Sequence, residues 1–173
     1  AAFVVVVGLA ATFMLKPAPL ATRTTGGGPV SGVSLRDALR SKRFRWLYVM
    51  CVLGAPSMFV PFAHLSASAR DLGIADAQAV GLVGLIGIGS LTGRFVVGHL
   101  ADRFGRAHAL VGATASLGFS MLLWWAAPSY LALAVFALWM GLSYGGVVSL
   151  MPAMCMDYFG ARAVSSIIGA LYT

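Results

Sequence analysis

The residue with the clearest capacity for chemistry is Arg94, which lies inside an apolar run over 78–101. A guanidinium in the bilayer costs about 2.5–3.5 kcal/mol, and such residues usually face water or a partner. Its planar fork can donate two parallel hydrogen bonds to a carboxylate. Arg94 is therefore a candidate ligand for an organic anion. Two structural alternatives stay open: its stem can snorkel toward the headgroups, or it can pair with an acid in another part of the protein.

A charged loop follows the same apolar run, with the sequence Gly98-His99-Leu100-Ala101-Asp102-Arg103-Phe104-Gly105-Arg106. Gly105 is expected to supply the positive φ of a tight reversal. On a helix, Asp102 would lie about 12 Å from Arg94 along the axis. Asp102 can pair with Arg106 four residues on, or it can meet a helix N-terminus. An exposed pair contributes roughly 0–1 kcal/mol, which suits a contact that must form and break.

The elements that position these residues are predicted to be membrane-spanning helices. Hydrophobic residues make up 60% of the 173 positions and charged residues 10%, against about 25% charged in soluble domains. Apolar runs over 46–66, 78–101, 108–126 and 131–154 each match the roughly 20 residues that cross a bilayer as a helix. Shorter runs at the two ends, 1–15 and 163–173, are interpreted as truncated spans. The sequence thus predicts a fragment of an all-α, polytopic membrane protein.

Loop charges predict the orientation of these helices. Ten of the twelve Lys and Arg residues fall in loops 16–45, 102–107 and 155–162, whereas the opposite side carries Arg70 alone. By the positive-inside rule the three basic loops are cytoplasmic. We therefore expect a multi-pass protein of a plasma or bacterial inner membrane. The net charge of +7 then reflects topology and indicates no nucleic-acid surface.

The connection over 16–45 has two parts. Residues 17–33 are rich in Pro, Gly and Thr, a composition typical of flexible linkers. Residues 34–46 are predicted to form a short amphipathic helix. Ser34 can cap this helix, with Asp37 in the capping-box position.

The pattern Gly-x-Leu-x-Asp-Arg-x-Gly-Arg over 98–106 resembles the loop signature of the major facilitator superfamily of secondary transporters. Further segments resemble its monocarboxylate and oxalate/formate branch: Ala38-Leu39-Arg40, Phe44-Arg45-Trp46, Gly93-Arg94, Tyr144-Gly145-Gly146, Leu150-Met151-Pro152-Ala153 and Tyr158-Phe159-Gly160. The resemblance implies a partial bundle, from the end of helix six to the start of helix eleven. Its parts would be the end of a first-half helix (1–15), a central cytoplasmic linker with an amphipathic helix (16–45) and an incomplete second-half bundle (46–173).

The resemblance also implies a function and a site. Such transporters move small metabolites by alternating access, and an arginine at the position of Arg94 binds a substrate carboxylate. Tyr144 and Ser90 are assigned with it as substrate-binding residues. Some monocarboxylate transporters carry a proton-coupling aspartate at the position of Ser90, so its absence leaves uniport, antiport and symport open. The signature residues would form a conformational latch at the cytoplasmic end: Gly98, Asp102, Arg103, Gly105 and Arg106.

Small residues predict where helices approach closely. Glycines crowd the helix over 78–101, at Gly81, Gly84, Gly87, Gly89 and Gly93, and Gly141 and Gly145 form a GxxxG pattern in another helix. Both static packing and the sliding that alternating access requires are compatible with this pattern.

Other functions remain as alternatives: an exporter of amphipathic or drug-like compounds, in which Arg94 is structural, and a non-transporting membrane sensor on the same fold. No paired acids, metal-ligand spacing or activated nucleophile is recognised, so we expect no enzyme, no metal and no cofactor. Cys51 and Cys155 are interpreted as apolar filler. The expected partners are a small-molecule substrate of carboxylate type, the lipid bilayer and the N-terminal half of the same protein, with proton coupling left open and no nucleic acid.

Overall fold

The computed structural model describes residues 32–172, and the predicted span over 1–15 and most of the linker over 17–33 lie outside the described residues. The described part forms these helices: α1 Leu35–Arg40, α2 Lys42–Asp71, α3 Asp76–Phe104, α4 Arg106–Trp125, α5 Tyr130–Phe159 and α6 Val164–Leu171. Helices α2 to α5 are each long and apolar enough to cross a membrane. The prediction of an all-α, polytopic membrane fold is confirmed.

The spans are longer than the apolar runs that predicted them. Helix α2 begins at Lys42, before the predicted residue 46, and α5 continues to Phe159, past residue 154. Charged ends can stay helical because water and headgroups solvate their side chains while the backbone keeps its own hydrogen bonds. Hydropathy therefore predicts the spans better than their ends.

The single amphipathic helix predicted for the linker is divided at Ser41. This residue has extended backbone (φ −69°, ψ 147°). Its hydroxyl donates to the Ala38 carbonyl at 2.7 Å and accepts the Phe44 N–H at 3.1 Å, so it ends α1 and caps α2. Ser34 caps α1 as predicted, accepting the Asp37 N–H at 3.3 Å and donating to the Asp37 carboxylate at 2.6 Å.

A close crossing of α3 and α5 forms the centre of the bundle. Four glycines lie in it, and a Cβ on any of them would collide with the backbone of the opposite helix: Gly89, Gly93, Gly141 and Gly145. This contact confirms that small residues mark where two helices approach. Three more glycines of α3 have nothing within 4 Å of a Cβ position: Gly81, Gly84 and Gly87. Among the described residues, those three take no part in close packing.

Two apolar clusters fill the space around this crossing. One cluster lies at the end of the bundle that carries the basic loops 102–107 and 155–162, which we call the basic end. It joins all six helices, and its fully buried members include Leu47, Leu110, Met151 and Ile167. The cluster at the opposite end joins α2 to α5 through Leu65, Leu82, Leu117 and Phe136. The short helices α1 and α6 thus add to the core at the basic end, which also carries the charged loop.

Candidate functional site

Arg94 lies on α3 ten residues before the helix ends at Phe104, about 15 Å from that end. Its neighbour Gly93 is pressed against the backbone of Leu142 on α5, which fixes the backbone that carries the guanidinium. The Arg94 side chain itself is exposed. Within residues 32–172 no carboxylate pairs with it; the ion pairs there involve other arginines. The described part of the chain therefore presents an unneutralised cation inside a membrane-spanning helix.

Ser90 lies one turn before Arg94 and is buried, with 8% of its surface exposed. Its backbone carbonyl stands where a Cβ on Gly145 would be, and its backbone nitrogen is 3.0 Å from a Cβ position on Gly141. Ser90 therefore contributes to the crossing of α3 and α5. This contact also brings Ser90 next to the α5 residue that follows Tyr144.

Tyr144 is half-buried on α5 and lines a cavity of about 290 Å³ between α2, α4, α5 and α6. Its ring meets that of Phe62 edge-on, with centroids 5.6 Å apart. The remaining wall is mainly apolar and aromatic, with one threonine, and includes Tyr48, Cys51, Met58, Thr114, Leu171 and Tyr172. Arg94 and Ser90 do not line this cavity. The structure thus brings Ser90 close to the Tyr144 segment but does not gather the three predicted residues in one cavity of the described part.

The charged loop forms the predicted reversal between α3 and α4. Gly105 has φ +90° and links the two helices directly. Asp102 is exposed on the last turn of α3. The Arg103 guanidinium lies over the Phe104 ring, 5.6 Å from its centroid. Gly98 is half-buried, and a Cβ there would meet nothing within 4 Å.

Of the two contacts considered for Asp102, the pair with Arg106 is not formed. Arg106 instead donates from Nη1 to both carboxylate oxygens of Asp157 on α5, at 2.8 and 3.0 Å. An i, i+4 pair needs one continuous helix, and the reversal at Gly105 separates the two residues into different helices. The side chains of Arg106 and Asp157 are 46% and 35% exposed, so the pair contributes no more than about 1 kcal/mol.

The end of α5 connects several elements at the basic end. Asp157 binds α4 through Arg106, and the ring of Tyr158 lies under the Arg43 guanidinium of α2 at 5.3 Å. The Phe159 carbonyl accepts the Val33 N–H at 2.9 Å, and Gly160 pairs with Gly32 in an isolated β-bridge. Asp157 and Tyr158 are not among the residues that the sequence predicted for this end of the bundle. Two features of the sequence could have indicated them: Asp157 is an acid within a basic loop, and Tyr158 begins the Tyr-Phe-Gly segment.

The architecture described above, four long apolar helices with basic ends and a glycine reversal, defines an integral, multi-pass membrane protein. Residues 1–173 match the family model of the Major Facilitator Superfamily, and the chain belongs to that superfamily.

Curated relatives carry transporter names. The MFS-type transporter pytF of Aspergillus terreus is 37% identical over 97 residues, covering 56% of this chain and 31% of the relative. The uncharacterized MFS-type transporter YhjX of Escherichia coli is 26% identical over 163 residues, covering 92% and 40%. Monocarboxylate transporter 13 of Bos taurus is 35% identical over 89 residues, covering 51% and 20%. The chain therefore spans between a fifth and two fifths of the length of these relatives.

Proposed function

We propose that the full-length protein is a secondary transporter that moves a small organic anion of the monocarboxylate type by alternating access. Membership of the superfamily and the four apolar helices support the transporter class. The similarity to a relative named for monocarboxylate transport supports the substrate class. The observation that carries the proposal is the exposed Arg94 side chain inside α3, which has no acidic partner within residues 32–172.

In this proposal Arg94 binds the substrate carboxylate through two parallel hydrogen bonds from its guanidinium. The crossing at Gly93 and Ser90 holds the arginine at a fixed position against α5. Tyr144 offers a hydroxyl and a ring on the side of α5 that faces α2. Ser90 stands where an acid would be needed for proton coupling through α3, so the coupling ion is left open.

The charged loop acts as the latch in this proposal. The pair of Arg106 with Asp157 and the stacking of Arg43 on Tyr158 tie the ends of α4 and α2 to α5. Each contact is exposed or weak, so the set can break in each transport cycle at a cost of about 1 kcal/mol per contact. Asp102, Arg103 and Gly98 remain available at the same cytoplasmic end for contacts with the first half of the protein.

The test is counterflow of labelled lactate, pyruvate, oxalate and formate into proteoliposomes that contain the full-length protein. Arg94→Ala is expected to abolish saturable exchange, and Arg94→Lys to remove most of it, because an ammonium cannot replace the bidentate fork. Arg36→Ala, on the exposed face of α1, is the matched control and keeps full exchange. Carboxylate exchange that survives Arg94→Ala would refute the assigned role of this arginine.

One observation favours a second candidate, an exporter of amphipathic compounds. The cavity beside Tyr144 has an apolar and aromatic wall that Arg94 does not reach. If the protein is such an exporter, flux of an uncharged aromatic compound falls with Tyr144→Ala and is unchanged by Arg94→Ala. Arg94→Ala thus separates the two candidates when the labelled carboxylates and the uncharged compound are measured side by side in the same proteoliposomes.

A further inference from the structure

The end of α5 is bonded to the chain segment that leads into α1. The last carbonyl groups of a helix have no partner within the helix, and in α5 the Phe159 carbonyl accepts the N–H of Val33 at 2.9 Å. Gly32 and Gly160 form an antiparallel β-bridge beside this bond. Gly160 ends α5 with φ +75°, a conformation that favours glycine. Residues 32–33 thus cap the C-terminal end of α5.

Gly32 fits this place closely. A Cβ on Gly32 would lie 2.9 Å from both the Phe159 carbonyl oxygen and the Arg162 backbone nitrogen, and 3.0 Å from the Arg162 Cβ. Backbone atoms cannot rotate away as the end of a side chain can, so this contact requires glycine at position 32. The composition of 17–33 predicts a flexible linker, but its last two residues are docked on the turn between α5 and α6.

Helix α1 extends this contact into the core. Ala38 is 1% exposed and belongs to the cluster at the basic end. The helix packs against both α2 and α6, and Ser34 and Ser41 fix its two ends. We call residues 32–40 the strap, because they are held by the α5–α6 turn at one end and by the core along α1.

The strap and the ion pair of Arg106 with Asp157 hold the same turn of α5. Asp157 lies two residues before Phe159, and its carboxylate binds α4 while the Phe159 carbonyl binds the strap. Val33 is exposed, and so is much of the ion pair, so water can compete for both contacts. A displacement of the chain before residue 32 therefore reaches the turn that carries Asp157 directly through the backbone.

We propose that the strap couples the linker to the latch. While docked, it holds the end of α5 where the pair of Arg106 with Asp157 can form, and its release favours opening of that pair. Coupling between two contacts is reciprocal, so breaking the ion pair must loosen the strap by the same factor. The role of this coupling in a transport cycle rests on the proposed function, whereas the coupling itself is a property of the described contacts.

The test is hydrogen–deuterium exchange of the full-length protein in detergent without substrate, followed by mass spectrometry of the peptide that covers residues 32–40. Such exchange reports local opening. Arg106→Gln removes the ion pair from the side of α4 and is expected to raise exchange of the strap about two- to fivefold, the range that an exposed pair can contribute. Arg70→Gln is the matched control: it removes another exposed ion pair, with Asp76 at the opposite end, and leaves the strap unchanged.

Gly32→Ala releases the strap itself, because the added methyl group meets the backbone of Phe159 and Arg162. It is expected to raise exchange of the strap at least about tenfold, since the backbone contacts with α5 are lost, and Arg106→Gln added to it gives no further increase. Gly112→Ala on α4 is the control, because its methyl group meets nothing within 4 Å. Thermal melting confirms that each variant is folded. If Gly32→Ala does not fold, Val33→Pro removes the N–H donor instead.

A strap that exchanges as fast as an unstructured peptide in the unmodified protein would overturn the proposal. Unchanged exchange in Arg106→Gln, or an equal rise in Arg70→Gln, would overturn it as well, because the strap would then not be coupled to the latch. Absence of counterflow by a protein whose strap is protected and responds to Arg106→Gln supports the coupling and contradicts the proposed function, so the two failures are distinguishable.

Discussion

Adding one methyl group at the crossing of α3 and α5 is the most direct test of how the site is held. A Cβ on Gly93 would overlap the backbone of Leu142, closer than the 3.0 Å below which something must shift. The obstacle is backbone on a packed helix, so no side-chain rotation relieves it. The two helices must separate, and overpacking of this kind costs about 1–3 kcal/mol. For a domain of this size that corresponds to a fall in Tm of about 2–12 °C.

Gly84→Ala is the matched control, because the same methyl group on the same helix would meet nothing within 4 Å. Replacing a helical glycine by alanine favours the helix by up to about 1 kcal/mol. The Tm of Gly84→Ala is therefore expected to stay constant or rise. The assay is thermal unfolding of the full-length protein in detergent, followed by tryptophan fluorescence, with counterflow measured on the same preparations.

Separation of the helices also moves Arg94 away from the Tyr144 segment, so Gly93→Ala is expected to lower exchange, whereas Gly84→Ala does not. Equal melting temperatures for the two variants would refute the reasoning, because of these two positions only Gly93 places the added methyl group against backbone. A lower Tm of Gly93→Ala with unchanged exchange would mean that the crossing stabilises the fold but does not position Arg94 for substrate binding.

Three further predictions follow from single contacts. Arg106→Asp should weaken the latch by charge repulsion, and the double variant Arg106→Asp with Asp157→Arg should restore it. A double-mutant cycle in thermal stability should give a coupling energy of about 0.2–1 kcal/mol between the two residues, and zero coupling would remove the pair from the latch. Cys51 lines the Tyr144 cavity and should react with a small thiol reagent, whereas the fully buried Cys155 should not. Peptide mass spectrometry measures the labelling of each cysteine, and equal labelling would contradict access to Cys51 through the cavity. Ser41→Ala should lower stability by about 1 kcal/mol because α2 loses its cap. Ser41→Thr should retain the stability, because its hydroxyl can still accept the Phe44 N–H and donate to the Ala38 carbonyl. Equal melting of the two variants would argue against the cap.

The spans were predictable from the sequence because lipid permits few structures. Apolar runs of about 20 residues must form helices when no water is present to satisfy the backbone. The residues at which these helices begin and end depend on weaker and more local effects, such as capping hydrogen bonds. Ser41 is an ordinary linker residue by composition, and only its two backbone hydrogen bonds show that it separates α1 from α2.

Which side of each helix faces a neighbour could not be predicted in the same way. A helix that is apolar on all sides carries no stripe to distinguish a packed face from a lipid-facing one. Glycine was the remaining signal, and it marked the crossing correctly at Gly89 and Gly93 but gave the same signal at Gly81, Gly84 and Gly87, which pack against nothing in the described part. The partner of Arg106 was missed for a related reason: Asp157 is 51 residues away and approaches only through the packing of α4 on α5.

The contacts of the described bundle differ sharply in how easily they can change. At the crossing, glycine backbones of α3 and α5 interlock so closely that a single methyl group would not fit, and sliding would bring side chains into the same space. At the basic end, the ion pair of Arg106 with Asp157 is solvent-exposed and weak. We therefore expect α3 and α5 to move as one rigid pair in the proposed alternating-access cycle, carrying Arg94 and Tyr144 together, while the contacts at the end of α5 open and close. Of the two interpretations that the glycine pattern allowed, static packing at the crossing is the one that this geometry favours.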